Sequence, residues 1–119
     1  MATTDLTKDT LTSTIDGNDI VIVDFWASWC GPCMRFAPIY EEASKRHEDV
    51  FFGKVDTEAE QELSYALEIQ SIPTLMAFRS GVLVFRQSGM LNGSQLDDLV
   101  RQLKELDPEQ VKAAAQKQE

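Results

Sequence analysis

The segment FWASWCGPCMRFAP at residues 25–38 contains both cysteines of the 119-residue chain, separated by Gly31 and Pro32. A structural zinc site needs about four ligands, but the sequence adds only one histidine, His47, a whole predicted helix away. We expect His47 at the surface or at a helix end, too far for a cysteine–histidine nucleophile. A purely stabilising disulfide is also disfavoured, because closing so short a loop removes little entropy from the unfolded chain. The pattern therefore indicates reactive cysteines.

The position of the two cysteines indicates the kind of reactivity. Cys30 follows the apolar run IVIVDFW at 20–26, which is typical of a strand buried on both faces, and precedes a helical pattern that extends to about His47. Unpaired N–H groups and the helix dipole favour a thiolate at this turn, so we predict Cys30 as the attacking sulfur. Cys33 is predicted to point inward beside Phe36, as the resolving sulfur. The chemistry that uses such a pair is thiol–disulfide exchange.

Asp24 interrupts the apolar run just before the cysteines. Burial disfavours an ionised carboxylate and raises its pKa, so this group is expected to titrate near neutral pH. That suits a base that takes the proton of Cys33, directly or through water, as the sulfur attacks. Lys54, in the next predicted strand, is the candidate charge partner. A purely structural Asp24–Lys54 pair is the alternative interpretation.

The remaining pattern alternates strands and helices. Two strand-like runs within 74–89, separated by residues 79–81, favour an antiparallel hairpin. The other predicted elements are a short helix from near Thr7 to the turn at 16–18, a strand at 50–56, a helix at 57–69 and a last helix at about 94–106. This order predicts an α/β fold with a mixed central β-sheet flanked by helices on both faces.

The length of the chain is that of one ordinary domain, which we place at residues 1–106. Residues 107–119 have a polar, alanine-rich composition and a helix start at Asp107-Pro108. They contain too few large apolar residues to add a core. We expect a short exposed helical extension, with docking on a partner as the alternative.

Charge and hydropathy restrict the partners and the compartment. Twenty acidic and eleven basic residues give a net charge of −9, which repels phosphate backbones and anionic membrane surfaces. No apolar run approaches the roughly 20 residues needed to cross a bilayer. The N-terminus shows no secretory signal, although an already processed chain would look the same. We expect a cytoplasmic monomer that binds neither nucleic acid nor membranes.

The segment VDFWASWCGPC at 23–33 resembles the active-site segment of thioredoxins. The resemblance covers roughly residues 5–106, through Pro38, KVD at 54–56, SIPT at 71–74, FRSG at 78–81 and Gly89. It implies a thioredoxin fold and a protein-disulfide reductase that acts on disulfide-containing target proteins. It also implies that no cofactor is bound, and that electrons come from NADPH through the flavoprotein thioredoxin reductase.

The resemblance implies roles for four residues. Cys30 is the nucleophile, Cys33 the resolving thiol, Asp24 the buried carboxylate behind them and Pro73 a cis-proline that faces the pair. The Gly-Pro between the cysteines resembles the reducing members, whereas oxidases and isomerases of the superfamily usually carry a histidine there. A disulfide oxidase or isomerase of the same fold, and a redox-sensitive binding module, are the alternatives.

An apolar surface is predicted around the Cys30 sulfur. An extended substrate segment is expected to dock there by backbone hydrogen bonds near residue 72. The predicted members are Trp29, Gly31, Pro32, Ile72, Pro73 and Met90. The alternative for Ile72 and Met90 is ordinary core.

Three features depart from the thioredoxin pattern. Met34 stands where many thioredoxins have a lysine, and Gln70 where a basic residue is common. The extension at 107–119 has no counterpart in the minimal family. We expect these departures to influence the choice of partner rather than the chemistry.

Overall fold

A computed structural model describes residues 2–117 of the chain. Strands and helices alternate through most of this range. The elements are β1 (Thr3–Asp5), α1 (Leu11–Gly17), β2 (Ile20–Trp26), α2 (Gly31–Arg46), β3 (Phe51–Asp56), α3 (Gln61–Ala66), β4 (Thr74–Arg79), β5 (Val82–Ser88), α4 (Gly93–Glu105) and α5 (Pro108–Lys117). Across residues 2–117, no helix combines the length and the apolar composition needed to span a membrane.

The strands form one sheet in the order β1-β3-β2-β4-β5, with β2 at its centre. Strand β3 pairs in parallel with both β1 and β2, whereas β4 pairs antiparallel with β2 and β5. The sheet is therefore mixed, and the predicted α/β fold with a central mixed sheet is confirmed. The parallel pair β2 and β3 brings the carboxyl ends of two strands to the same edge of the sheet.

Alternate residues of β2 enter two apolar cores on opposite faces of the sheet, as the strand's continuous apolar pattern predicts. On one face, Ile22 packs in a cluster with residues of α2 and α4, among them Phe36 and Leu96. On the other face, Val23 packs in a cluster that includes Leu11 of α1, with Leu63 of α3 against it. Helices thus cover both faces of the sheet.

Tyr40 holds α2 against the sheet. Its hydroxyl lies 3.0 Å from the carbonyl oxygen of Ile22 and 2.8 Å from that of Gly53, and it donates to these acceptors. Its ring packs at centroid distances of 5.5 Å from Phe36 and 5.2 Å from Phe52. Burial, and secondly the negative charge of Asp24, raise the pKa of the Tyr40 phenol well above its ordinary value, so it stays a donor. The orientation of α2, and with it the N-terminus of this helix, is fixed by these contacts.

The structure differs from the sequence-based prediction at the edges of elements. Helix α1 begins at Leu11 rather than near Thr7, because a separate turn closes from the N–H of Thr10 to the carbonyl of Thr7 at 3.1 Å. Helix α3 spans Gln61–Ala66 rather than residues 57–69. Before it, the Asp56 carboxylate accepts from the N–H of Glu58 at 2.9 Å, which makes a turn in place of the first helical residues.

Helix α5 follows α4 after a short break at the predicted helix start. The Asp107 carboxylate accepts from the N–H of Glu109 at 2.9 Å. The helix packs against β5, with Val111 and Ala115 half-buried and most of its other described side chains exposed. The division of the chain at residue 106 stays a prediction, and residues 118 and 119 of the predicted extension lie outside the described residues.

Candidate active site

The two cysteines lie at the N-terminus of α2, just after the carboxyl end of β2, and they form a disulfide. Cys30 is the N-cap residue of α2, and Pro32 occupies the first turn. The N–H of Cys33 donates to the Cys30 sulfur at 3.2 Å. When the pair is reduced, this donor and the helix dipole favour negative charge on the Cys30 sulfur.

The exposed fraction of the side chain does not separate the two sulfurs, since Cys30 is 4% exposed and Cys33 1% exposed. Their neighbours differ. Trp29, which precedes Cys30, is 68% exposed, and Gly31 and Pro32 are exposed as well. Cys33 instead lies one helical turn further into α2. The Cys30 side of the disulfide therefore borders exposed residues.

The loop before β4 lies against the disulfide. The Ile72–Pro73 peptide bond is cis, as the resemblance to thioredoxins implied. The carbonyl oxygen of Ile72 lies 3.7 Å from the Cys30 sulfur, and the Ile72 side chain packs against the buried cluster that contains Ala27 and both cysteines. The N–H of Gly89 donates to the Pro73 carbonyl at 2.8 Å, which ties this loop to the chain just before Met90.

Asp24 is fully buried in β2, and neither of its carboxylate oxygens has a hydrogen-bond partner in the structure. Burial raises the pKa of Asp24 to about 7, while the positive charge of Lys54 acts in the opposite direction. Because side chains alternate along a strand, Asp24 shares the face of the sheet that carries Ile22 and packs against α2. A titratable carboxyl group thus lies beneath the helix that carries Cys33.

Lys54 lies directly opposite Asp24 in the parallel register of β2 and β3. Its ammonium nitrogen is 4.7 Å from the centroid of the Trp26 ring, a cation–π arrangement. It makes no hydrogen bond to the Asp24 carboxylate. A structural Asp24–Lys54 ion pair therefore lacks the direct contact that it would need. The positive charge of Lys54 lowers the pKa of Asp24 by electrostatic attraction without a hydrogen bond.

The predicted apolar surface has members of unequal exposure. Trp29, Gly31 and Pro32 are exposed, Ile72 is half-buried and Pro73 is buried. Met90 is 37% exposed, in the loop joined to Pro73. Met34, the residue after Cys33, is 47% exposed and adds to the apolar surface near the pair.

Glu58 is a site residue that the sequence-based reasoning missed. Its carboxylate accepts a hydrogen bond from the indole N–H of Trp29 at 3.1 Å. Glu58 follows β3, and the parallel pairing of β2 with β3 brings the residues after both strands to one edge of the sheet. The acidic residues directly after KVD were therefore the signal that could have indicated this contact.

His47, which the sequence placed at the surface or at a helix end, lies far from the cysteines. His47 is the C-cap residue of α2, at the opposite end from Cys30, and its ring contacts the Asp97 carboxylate at 2.7 Å. Within residues 2–117, no group of three or more His, Cys, Asp or Glu side chains is arranged to hold a metal ion. The Cys30–Cys33 disulfide is a group at this site that can exchange two electrons.

Comparison with known proteins supports this chemistry. The family description Thioredoxin matches residues 2–105. A Streptomyces coelicolor protein named "Putative thioredoxin 2" is 47% identical over 118 residues, which cover 99% of this chain and 88% of that protein. Thioredoxin 1 of Plasmodium falciparum is 43% identical over 88 residues, or 74% of this chain and 84% of that one.

Solved structures give the same result. A Plasmodium falciparum thioredoxin superposes with a TM-score of 0.76 at 38% identity, over 83% of this chain and 97% of that one. A mutant thioredoxin from Halobacterium salinarum superposes with a TM-score of 0.78 at 32% identity, over 87% of this chain and 94% of that one. With its Cys-Gly-Pro-Cys disulfide at the start of α2, this chain belongs to the thioredoxin family and is a thiol–disulfide oxidoreductase whose redox group is the Cys30–Cys33 pair itself.

Proposed function

We propose that this chain reduces protein disulfides with Cys30 as nucleophile and Cys33 as resolving thiol. The observation that carries this assignment is the N-cap position of Cys30, whose sulfur accepts the N–H of Cys33. In the first step, the Cys30 thiolate attacks one sulfur of the substrate disulfide. A Cys30–substrate disulfide forms, and the other substrate sulfur leaves as a thiolate.

In the second step, Cys33 attacks the Cys30 sulfur. The Cys30–Cys33 disulfide forms, and the remaining substrate sulfur leaves as a thiolate, so two electrons pass to the substrate. Cys33 must lose its proton first, and Asp24 is the group that accepts it, directly or through water. A carboxyl pKa of about 7 allows this base to take up and release a proton near neutral pH. Lys54 is a positioning residue that limits the rise of this pKa.

Substrates dock on the apolar surface of Trp29, Gly31, Pro32, Ile72, Pro73 and Met90. An extended target segment runs beside residue 72 and bonds to its backbone, a mode that selects little for side chains. The exposed Trp29 ring, oriented by Glu58, provides apolar contact next to the attacking sulfur. Proteins with an accessible disulfide are the substrate class.

Each turnover leaves the Cys30–Cys33 disulfide, which must be reduced again by two electrons. The partner proposed for this step is an NADPH-dependent flavoprotein thioredoxin reductase. Such a couple keeps thiols reduced in the cytoplasm, which is the proposed compartment. The Gly-Pro pair between the cysteines supports the reducing direction over oxidation or isomerisation, and neither that alternative nor a redox-sensitive binding module is favoured.

The test is the reduction of insulin disulfides with NADPH and a thioredoxin reductase. We expect many turnovers per wild-type molecule and none for Cys30→Ser. Cys33→Ser should form a mixed disulfide with its target and then stop, because the resolving sulfur is missing. Faster labelling of Cys33 than of Cys30 by iodoacetamide in the reduced protein at neutral pH would reverse the two roles. Stoichiometric binding without turnover would instead indicate a binding module.

A further inference from the structure

A cavity of about 430 Å³ lies at the C-terminal end of α3, outside the apolar surface described above. Tyr65, at its wall, is 87% exposed, an unusual position for a large aromatic ring without a partner. We call this feature the Tyr65 cavity. It is lined by Tyr65, Ala66, Glu68, Ile69 and Gln70.

The Tyr65 cavity is close to the reacting sulfur along the chain. Gln70 precedes Ile72 by two residues, and the Ile72 carbonyl lies 3.7 Å from the Cys30 sulfur. Consecutive Cα atoms are about 3.8 Å apart, so Ile69 lies within about 11 Å of Ile72. An extended target strand advances about 3.3 Å per residue. Three or four residues of an extended target therefore span a distance of this size.

The chain segment that lines the cavity is acidic. Between Lys54 and Arg79 the sequence contains five acidic residues and no lysine, arginine or histidine. None of the ion pairs formed within residues 2–117 includes Glu68. Arg86 reaches the same end of α3, but its guanidinium donates to the carbonyl oxygens of Leu67 and Glu68 at 2.8 and 2.6 Å. The Glu68 carboxylate is therefore left for a cation from outside.

The lining combines three features that suit one kind of side chain. Ile69 and Ala66 offer apolar contact for an aliphatic stem. The Tyr65 ring offers a face to a cation, and Glu68 offers an opposite charge. Lysine and arginine combine an aliphatic stem with a cationic end. Gln70 is neutral, so none of the five lining residues carries a positive charge that would oppose a basic target.

We propose that the Tyr65 cavity binds a lysine or arginine side chain of the target, three or four residues from the cysteine that Cys30 attacks. This assignment rests on the proposed function, because it concerns targets docked at the same site. It makes proteins with basic residues beside their disulfide the preferred substrates. The cavity selects among targets and takes no part in the transfer of electrons.

The experiment measures the first attack with defined peptides. Each peptide has one cysteine in a mixed disulfide with 2-nitro-5-thiobenzoate, a low-pKa leaving group whose release is followed by absorbance. One lysine is placed three or four positions from the cysteine, on either side, or eight positions away with the same net charge. A norleucine peptide is the apolar control. We expect the near lysine on one side to react about five-fold faster than both the distant lysine and norleucine.

Variants assign the preference to the cavity. Tyr65→Ala and Glu68→Gln should each bring the ratio of near-lysine to norleucine rates close to one, whereas Tyr65→Phe, which keeps the ring, should retain it. Glu48→Gln is the matched control, since it removes one exposed carboxylate beyond the far end of α2 and should retain the ratio. Thermal melts by circular dichroism confirm that each variant is folded.

Several results would overturn the proposal. Equal rates for near and distant lysine would mean general attraction to an acidic protein. An equal gain with norleucine would make the cavity a purely apolar subsite. An unchanged ratio of near-lysine to norleucine rates in Glu68→Gln would mean that Arg86 already neutralises this carboxylate. If the wild-type chain were a dimer and Tyr65→Ala a monomer, the Tyr65 ring would instead be assigned to contact with a second copy of the chain. Failure of the proposed function would give a different result, because no peptide would then react faster with the wild-type protein than with Cys30→Ser.

Discussion

Replacement of Asp24 by asparagine is expected to stabilise the fold at neutral pH and to slow the enzyme. The carboxyl group is buried without a hydrogen-bond partner, and burial raises its pKa from 3.8 to about 7. Below pH 3.8 the group is protonated in both the folded and the unfolded chain, so it has no ionisation cost. Between the two pKa values, the unfolded chain ionises and the folded one does not, which lowers the free energy of unfolding as pH rises. Above about pH 7 both states are ionised, and the loss stays constant.

The size of this effect follows from the two pKa values. Each pH unit between them lowers the free energy of unfolding by about 1.4 kcal/mol, so the full loss is on the order of 4 kcal/mol at pH 8. Asparagine cannot ionise, but its buried amide also lacks partners, which costs about 1–3 kcal/mol. The protonated aspartic acid has a similar cost. We therefore expect Asp24→Asn to gain roughly 2–4 kcal/mol over wild type at pH 8 and little at pH 4.

Urea unfolding at pH 4 and pH 8 measures the stability difference. Asp16→Asn is the matched control, because Asp16 is exposed on α1, and its effect should be small at both pH values. Single-turnover kinetics measure the activity. Release from the mixed disulfide should slow by at least about ten-fold in Asp24→Asn, while the first attack by Cys30 is nearly unchanged. A variant that is less stable at pH 8 and turns over at the wild-type rate would refute both the buried-charge cost and the role as base.

Three further predictions concern stability. Tyr40→Phe removes the hydroxyl that donates to two backbone carbonyls, and it should lower the free energy of unfolding by about 1–2 kcal/mol. Tyr65→Phe is the control, because its ring is exposed, and it should change this free energy by less than about 0.5 kcal/mol. Gly53→Ala would bring a Cβ to 2.5 Å from Leu6 Cδ1, so it should lower the free energy of unfolding by about 1–3 kcal/mol. Adding Leu6→Val should restore part of this loss. An unaffected urea midpoint in Gly53→Ala would contradict this contact. Deletion of residues 107–119 should leave insulin reduction unchanged and cost less than about 1 kcal/mol, and a larger loss would make α5 part of the domain's core.

Local patterns were sufficient to predict the main elements and the chemistry. The apolar run at 20–26, the helical spacing after Cys33 and the hairpin signal at 79–81 each depend on residues close in sequence, and β2, α2 and the β4–β5 pair occur where these patterns indicate. The cysteine spacing at a strand-to-helix turn indicated thiol–disulfide exchange for the same reason. A helix dipole and an N-cap are local properties of the chain.

Pairing between distant segments was not predictable in the same way. Strand β1 was missed because Thr3–Asp5 is short and polar, and its extended conformation depends on its pairing with β3. The extent of α3 was overestimated because the Asp56 carboxylate competes with the helix for the following N–H groups. Periodicity does not register such a competition, since it records only which side chains are apolar.

The sequence by itself determined that two cysteines act as a redox pair, that an aspartate is buried in the strand before them and that the fold is α/β with helices on both faces. The tertiary structure alone decided that the Asp24 carboxylate lacks a partner while Lys54 lies over Trp26, that Glu58 holds Trp29 and that Tyr65 stands exposed over a cavity near Ile72. The physical reason is that the direction in which each side chain points depends on the tertiary structure. Which groups meet depends on the register of paired strands and the packing of helices across the sheet, and these are set by contacts between residues far apart in the chain.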